Sequence, residues 1–527
     1  MTSRSGAPPR EGRGGSGLGR STAIFAIWTA SSRVIGLVRE MVAAALFGTA
    51  GIAPFVIAFN IPNVLRSLVA DSALSAALIP AYTRLLEEGK PREARRLVGA
   101  MVGLTTMVLG AITLLAIVTA PWVMPLFAAG LTPDQQDQTV WLSQLMFPIV
   151  LLLALTGIVA AVLQANGEFG ATGFVPVLWN AVIIACMGIG AVILPPGRDR
   201  LTAYAVGILL GTLTQLLYLL PHLRGKGPFR FGRSSPHLRG VLILMVPVTL
   251  GLGLININAA VDNEVASFIS GAAVGAVDKA FRLYILPQGV FSVAISTVLF
   301  PSIARMVARG DRDGVGDMVS AGIRQIFFML LPASAFLMVL AVPVTRLLYA
   351  HGTWSANDTS LTSKALVTFT IGLVFNGASL LLIRAFFSLQ DPWMPTKVAA
   401  GGVLINVVLD LVLYIPLGVA GIPLSTSAVS LFSFLALLYA LRGRVGRIDT
   451  AWLLDGFLRC LAASGMLAVM SWATWRILDD LLGRSLPAQV VTVGAALALG
   501  TAGYISAARA FFIPELGQLA QLRRPLR

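Results

Sequence analysis

Ionisable side chains stand inside long apolar stretches of this 527-residue chain, and their types and spacing are what could do chemistry. Arg33, Arg39 and Glu40 lie in the first stretch, and Arg66 and Asp71 in the second. Asp278, Lys279 and Arg282 follow beyond mid-chain, then Arg384 and Asp410. Each costs at least about 2.5–3.5 kcal/mol at a bilayer centre. An ordinary account is a position near a helix end, where long side chains snorkel to water or pair locally. For Arg384, Asp410 and Lys279 that account weighs as much as a functional one. Arg33, Arg66 and Arg282 fit it less well, because they sit well inside their apolar runs. Arg33 and Arg39 are turned about 120° from each other around a helix, so both can border one cleft without sharing a stripe. Lys279 and Arg282 are i, i+3 neighbours. Guanidinium grips phosphate in a bidentate way, so a cleft lined with it implies an anionic substrate. The apolar neighbours imply that this substrate carries a lipid tail.

The elements that must position these groups follow from composition. The chain is 56% hydrophobic and 12% charged, about half the charge of a soluble domain. Lipid must therefore be its solvent, which excludes a soluble enzyme, a nucleic-acid-binding module and a disulfide scaffold. The formal charge of +15 reads as basic cytoplasmic loops and not as a nucleic-acid surface. Cys186 and Cys460 lie in apolar runs, and His222, His237 and His351 are scattered in loops. No metal site, hydrolytic triad or phosphate loop is expected, and no enzymatic activity or cofactor.

The pattern predicts an all-α integral membrane protein of about 14 transmembrane helices. The spans lie near 22–48, 52–86, 98–121, 140–165, 173–195, 201–221, 240–268, 274–306, 318–348, 361–389, 394–415, 418–441, 451–478 and 487–511. Residues 1–20 read as a disordered basic cytoplasmic tail. Alternate loops are basic, including Lys90, Arg92, Arg95 and Arg96, then Arg224, Lys226, Arg230 and Arg233, then Arg442, Arg444 and Arg447. Their bias places both termini in the cytoplasm. An internal repeat is visible: residues 73–84 (ALSAALIPAYTR) resemble 294–305 (AISTVLFPSIAR), and Gly89 and Gly310 keep the same spacing of 221. Gln164 and Asn180 match Gln390 and Asn406 at a spacing of 226. The repeat predicts an N-lobe over 21–225, a basic linker over 226–239 and a C-lobe over 240–445. Two parallel six-helix lobes would then flank a central cleft, with two C-terminal helices and a basic tail over 446–527. Trp28, Trp179, Trp354 and Trp393 read as an aromatic belt. Pro62, Pro80, Pro287 and Pro301 read as kinks, and Gly271 with Gly275 as close helix packing.

Three stretches carry a family resemblance: SRVIGLVREMVAAALFG (32–48), AFNIPNVLRSLVADSALSAALIPAYTRLL (58–86) and FRLYILPQGVFSVAISTVLFPSIAR (281–305). They resemble the MurJ (MviN) lipid II flippases of the multidrug/oligosaccharidyl-lipid/polysaccharide exporter superfamily. LQANGEFGATGFVPVLWN, LLYAHGTW, LQDPWMPTKVA and GVAGIPLSTS extend the likeness along the later spans. The resemblance implies a two-lobed, fourteen-helix transporter that moves the undecaprenyl-pyrophosphate-linked disaccharide-peptide outward across the bacterial cytoplasmic membrane. It implies a substrate site at Arg33, Arg39, Arg66, Arg282, Ser32 and Asn63, with Glu40, Asp71 and Asp278 as charge partners. Membrane lipid and other cell-wall synthesis proteins are the implied partners, and nucleic acid is not. Coupling to membrane potential, Na⁺ or H⁺ stays open. Acidic positions of the family are here Ala53 and Ile285, and Phe281 precedes the arginine of the eighth span. An exporter of another lipid-linked saccharide or of drugs, and a transport-inactive scaffold, remain alternatives.

Overall fold

The apolar runs form helices because backbone groups in hydrocarbon must bond within their own segment. The computed structural model describes residues 15–69, 72–224, 232, 235–446 and 448–517, and no strand occurs among them. The helices in chain order are α1 (Gly15–Val69), α2 (Ser72–Glu87), α3 (Pro91–Phe127), α4 (Pro133–Met146), α5 (Pro148–Ala165), α6 (Phe169–Ile193), α7 (Arg198–Leu219) and α8 (Leu238–Ile269). Then come α9 (Gly271–Ala308), α10 (Arg312–Val339), α11 (Ala341–Tyr349), α12 (Ala356–Ser388), α13 (Trp393–Leu417), α14 (Gly421–Arg442), α15 (Thr450–Leu482) and α16 (Leu486–Ala510).

Among the described residues, 11 helical stretches are long and apolar enough to cross a membrane. Two of them, Ile27–Leu65 and Trp393–Arg442, have 39 and 50 residues, about twice the length one crossing needs. Counted as two crossings each, and joined by α8, they bring the total to the expected 14 long helices. The mostly exposed Leu115, Val192, Ile415 and Leu481 are typical of outward apolar faces that suit hydrocarbon and not water.

Helix breaks follow local chemistry. In α1 the non-helical residue is Gly48, at φ 60, a conformation cheap only without a Cβ. Pro62, Pro80, Pro287 and Pro301 lie inside their helices and end none of them. Pro148 reopens the chain after Phe147, since it has no N–H to donate to the preceding turn. Helix α1 starts at Gly15, inside the tail expected to be disordered. Residues 1–14 and most of the basic stretch 225–234 lie outside the described residues.

The repeat appears in the turns. After α2, Gly89 (φ 71) sits in the left-handed region and Lys90 N–H donates to Leu85 O; after α9, Gly310 (φ 74) and Asp311 N–H to Met306 O do the same. The turns after α5 and α12 repeat it, with Gly167 and Gln390 in the left-handed position. These are one C-terminal capping motif used four times. In that alignment Gln390 corresponds to Gly167, not to Gln164, which lies inside α5.

Contacts divide the chain into two units. The first comprises Met1–Val42, Leu65–Ala120 and Leu142–Val246. Its core joins α2, α3, α5 and α7 through Leu78, Tyr82, Met101, Ile158, Val162 and Leu219. Helices α6 and α7 approach closely where Gly190 meets Ala203 and Gly207 meets Cys186, the small-residue packing expected in lipid. The second comprises Ala43–Val64, Pro121–Trp141 and Pro247–Arg527. There Gly372 of α12 lies against Ser427 of α14, whose hydroxyl donates to Thr368 O at 2.6 Å. Arg324 of α10 pairs with Glu515, donates to Trp452 O at 3.1 Å, and stacks on the Trp452 ring.

Candidate functional site

In the first unit the apolar first half of α1 carries Arg33 and Arg39. Arg33 is exposed, whereas Arg39 is 8% exposed. The Arg39 guanidinium donates to Glu40, itself buried, and lies 4.9 Å from the Trp179 ring centre. Trp179 of α6 is fixed from behind by a hydrogen bond from Nε1 to Thr212 of α7, at 3.2 Å. An aromatic belt position was expected for Trp179; it instead supports a cation, because it falls in the middle of α6. Ser32 donates back to Thr29 O at 2.9 Å, within its own helix. Arg66 has only its backbone described, in α1, and Asp71 lies outside the described residues.

In the second unit Arg282 of α9 donates to Asp278, one turn earlier, at 3.2 Å, with its side chain 37% exposed. Lys279, expected on the face of Arg282, is fully buried, and its backbone carbonyl accepts from Tyr349. Asn63, expected at the substrate site, donates to Asn256 Oδ1 of α8 at 3.0 Å. Each unit therefore brings one candidate arginine to a carboxylate of its own helix: Arg39 to Glu40, and Arg282 to Asp278.

A second constellation, not assembled by the sequence reading, lies in α8, α13 and α14. Asp262 and Asp410 are both buried, at 6% and 0% exposure. Asn406 bridges them, donating to Asp262 and to Asp410 Oδ2 at 2.9 Å. Thr426 donates to the other oxygen of Asp262 at 3.0 Å. Asp410 Oδ1 and Asn406 Oδ1 are buried and accept no hydrogen bond. The set is all oxygen, holds two carboxylates and is short of donors. Such a site suits a proton or a small hard cation. Among the described residues no group of three or more His, Cys, Asp or Glu is placed to hold a metal. The i, i+4 spacing of Asn406 and Asp410 was visible as a signal, as was an acid at 262 within a span.

Comparison with known proteins places the chain. The family model for lipid II flippase MurJ matches residues 42–497. The chain is 30% identical over 509 residues to the probable lipid II flippase MurJ of Vibrio cholerae, covering 92% of this chain and 95% of that protein. It is 30% identical over 459 residues to the lipid II flippase MurJ of Burkholderia cenocepacia, covering 84% and 88%. Among solved structures it resembles a lipid II flippase MurJ in an inward closed conformation, with TM-score 0.75, 22% identity, and 93% and 99% of the two chains covered. It also resembles an inward-facing multidrug resistance MATE family transporter of the MOP superfamily, with TM-score 0.69, 15% identity, and coverage of 80% and 96%. By the family match and the extent of these likenesses, the chain belongs to the lipid II flippase MurJ family.

Proposed function

We propose that the chain flips lipid II, the undecaprenyl-pyrophosphate-linked precursor of peptidoglycan, from the inner to the outer leaflet by alternating access. The observation that carries this reading is the family match over residues 42–497. The side-chain geometry supports it: Arg39 pairs with Glu40, and Arg282 shares Asp278 with Lys279, each carboxylate lying on the arginine's own helix. A local counter-ion keeps a guanidinium tolerable at depth, and a diphosphate with more charge and more acceptor oxygens can displace it. Arg33, Arg66 and Ser32 complete the proposed substrate site, with Asp71 as a further counter-charge. Lobes related by the repeat would flank a cleft that receives the headgroup while the polyprenyl tail stays in lipid. No bond is made or broken, so the reading gives the chain no catalytic residue. Both termini lie in the cytoplasm in this reading, as the basic loops require.

Asp262 and Asp410 serve as the coupling site. Two bare carboxylates at this depth cost several kcal/mol each, so the pair holds one positive charge, as H⁺ or Na⁺. Release of that charge on one side of the membrane gives the cycle a direction. Growth of a strain depleted of its own lipid II flippase tests the reading. The chain is expected to restore growth, and well-inserted Arg39→Ala and Arg282→Ala variants to fail. Failure of the unaltered chain despite normal insertion would leave another lipid-linked saccharide, a drug or a scaffold role.

A further inference from the structure

Two cations meet one carboxylate on α9. Lys279 Nζ lies 4.0 Å from Asp278 Oδ2, and Arg282 donates to Asp278 Oδ1 at 3.2 Å, so each oxygen of the carboxylate has its own cation. The two cations differ in freedom. Arg282 has 37% of its side chain exposed, whereas the Lys279 side chain is fully enclosed. Gly275, Ala276 and Leu283, its neighbours three and four residues away on the same helix face, are buried as well. The backbone beneath that face is pinned. A Cβ on Gly275 would overlap the Thr49 carbonyl, and Tyr349, itself buried, donates to Lys279 O at 3.4 Å.

A lysine enclosed in this way touches no ligand at the exposed end of Arg282, and its own desolvation is costly. What it can act on is Asp278. As a like charge it works against the hold of Arg282 on the carboxylate. As a counter-ion it keeps the carboxylate paired once Arg282 has turned away. Without it, an arginine that moved to a diphosphate would leave behind a carboxylate with only 13% of its side chain exposed, and that cost would weaken binding. Arg39 is arranged differently: Glu40 is its carboxylate, and the Trp179 ring supports it in place of a second cation on the same acid.

We infer that Lys279 is a positioning residue for the substrate: it holds Asp278 while Arg282 transfers to the diphosphate, and so sets the affinity of Arg282 for an anion without touching one. This rests on the reading of Arg282 as a substrate group and deepens it. Arg282 is the hand that moves, Asp278 its resting place, and Lys279 the charge that makes leaving cheap.

The test measures binding of two lipids to the full chain in nanodiscs: lipid II, and undecaprenyl pyrophosphate, which keeps the diphosphate and the tail but lacks the saccharide. Lys279→Met keeps the bulk of the side chain and removes its charge. It is expected to weaken binding of both lipids about tenfold while the thermal midpoint holds. Asp278→Asn removes the charge that Lys279 holds, so adding Lys279→Met to Asp278→Asn should change affinity by less than about twofold. That second comparison also decides the matter where Lys279→Met alone inserts poorly. Unchanged binding by Lys279→Met would overturn the assignment. An equal loss with and without Asp278→Asn would overturn it too, since Lys279 would then act directly on the anion or on the fold. Undecaprenyl pyrophosphate that follows the expected pattern while lipid II is not bound would uphold the role of Lys279 and count against lipid II as cargo. Binding of neither lipid by the unaltered, folded chain would overturn both.

Discussion

Arg39 and Arg282 share a design: a guanidinium inside an apolar helix, held by a carboxylate of the same helix, with Arg39 resting on Trp179 as well. The planar fork matters for a diphosphate, so Arg282→Lys should weaken substrate binding about tenfold or more, read as a rise in the lipid II concentration for half-maximal transport. Full retention of affinity would leave Arg282 a structural ion pair. For the buried pair the prediction separates coupling from folding. Asp410→Asn removes one of two like charges, so thermal stability should hold or rise while transport loses its response to the H⁺ or Na⁺ gradient. A large fall in stability with coupling intact would make the pair a structural element. Residues such as Arg39, Arg282 and Asp278 were legible in the sequence because charge within an apolar run is itself the signal. Asp262 was not assigned, because its partners Asn406 and Thr426 lie 144 and 164 residues away and no local pattern names them. Asn63 was assigned to substrate on motif likeness, while its bonded neighbour is Asn256.

At the scale of elements, hydropathy located some spans within a few residues, whereas the runs expected over 140–165 and 318–348 are each divided, at Phe147 and Leu340. The run near 274–306 became Gly271–Ala308, and that near 361–389 became Ala356–Ser388. What hydropathy does not carry is where a helix breaks. Gly48 interrupts α1 while Pro54 and Pro62 do not, because a proline ring in a helix can be absorbed by its neighbours whereas a positive φ cannot continue the helix. Glycines with the same positive φ should also differ in cost. Gly89 has open space where a Cβ would stand, so Gly89→Ala should cost only the left-handed backbone, about 1–2 kcal/mol. Gly352 faces the Ala45 carbonyl as well, so Gly352→Ala should lower the thermal midpoint clearly further. Equal midpoints would show that the turn before α12 does not hold α1 closely.

For the molecule as a whole, composition settled the solvent and the family match settled the kinship, while cargo depends on a few charged groups and their counter-ions. Ala53 and Ile285, where relatives of this kind were expected to carry acids, leave Glu40 and Asp278 as the pairing carboxylates seen beside the arginines. The central claim is that this chain carries lipid II outward by means of those arginines. Its most direct test is the amount of lipid II open to an impermeant pyrophosphate-cleaving enzyme added outside cells depleted of their own flippase. Expression of this chain should restore cleavage, and Arg39→Ala or Arg282→Ala should abolish it at equal membrane levels. Lipid II that stays protected in cells carrying the unaltered, fully inserted chain would contradict the account.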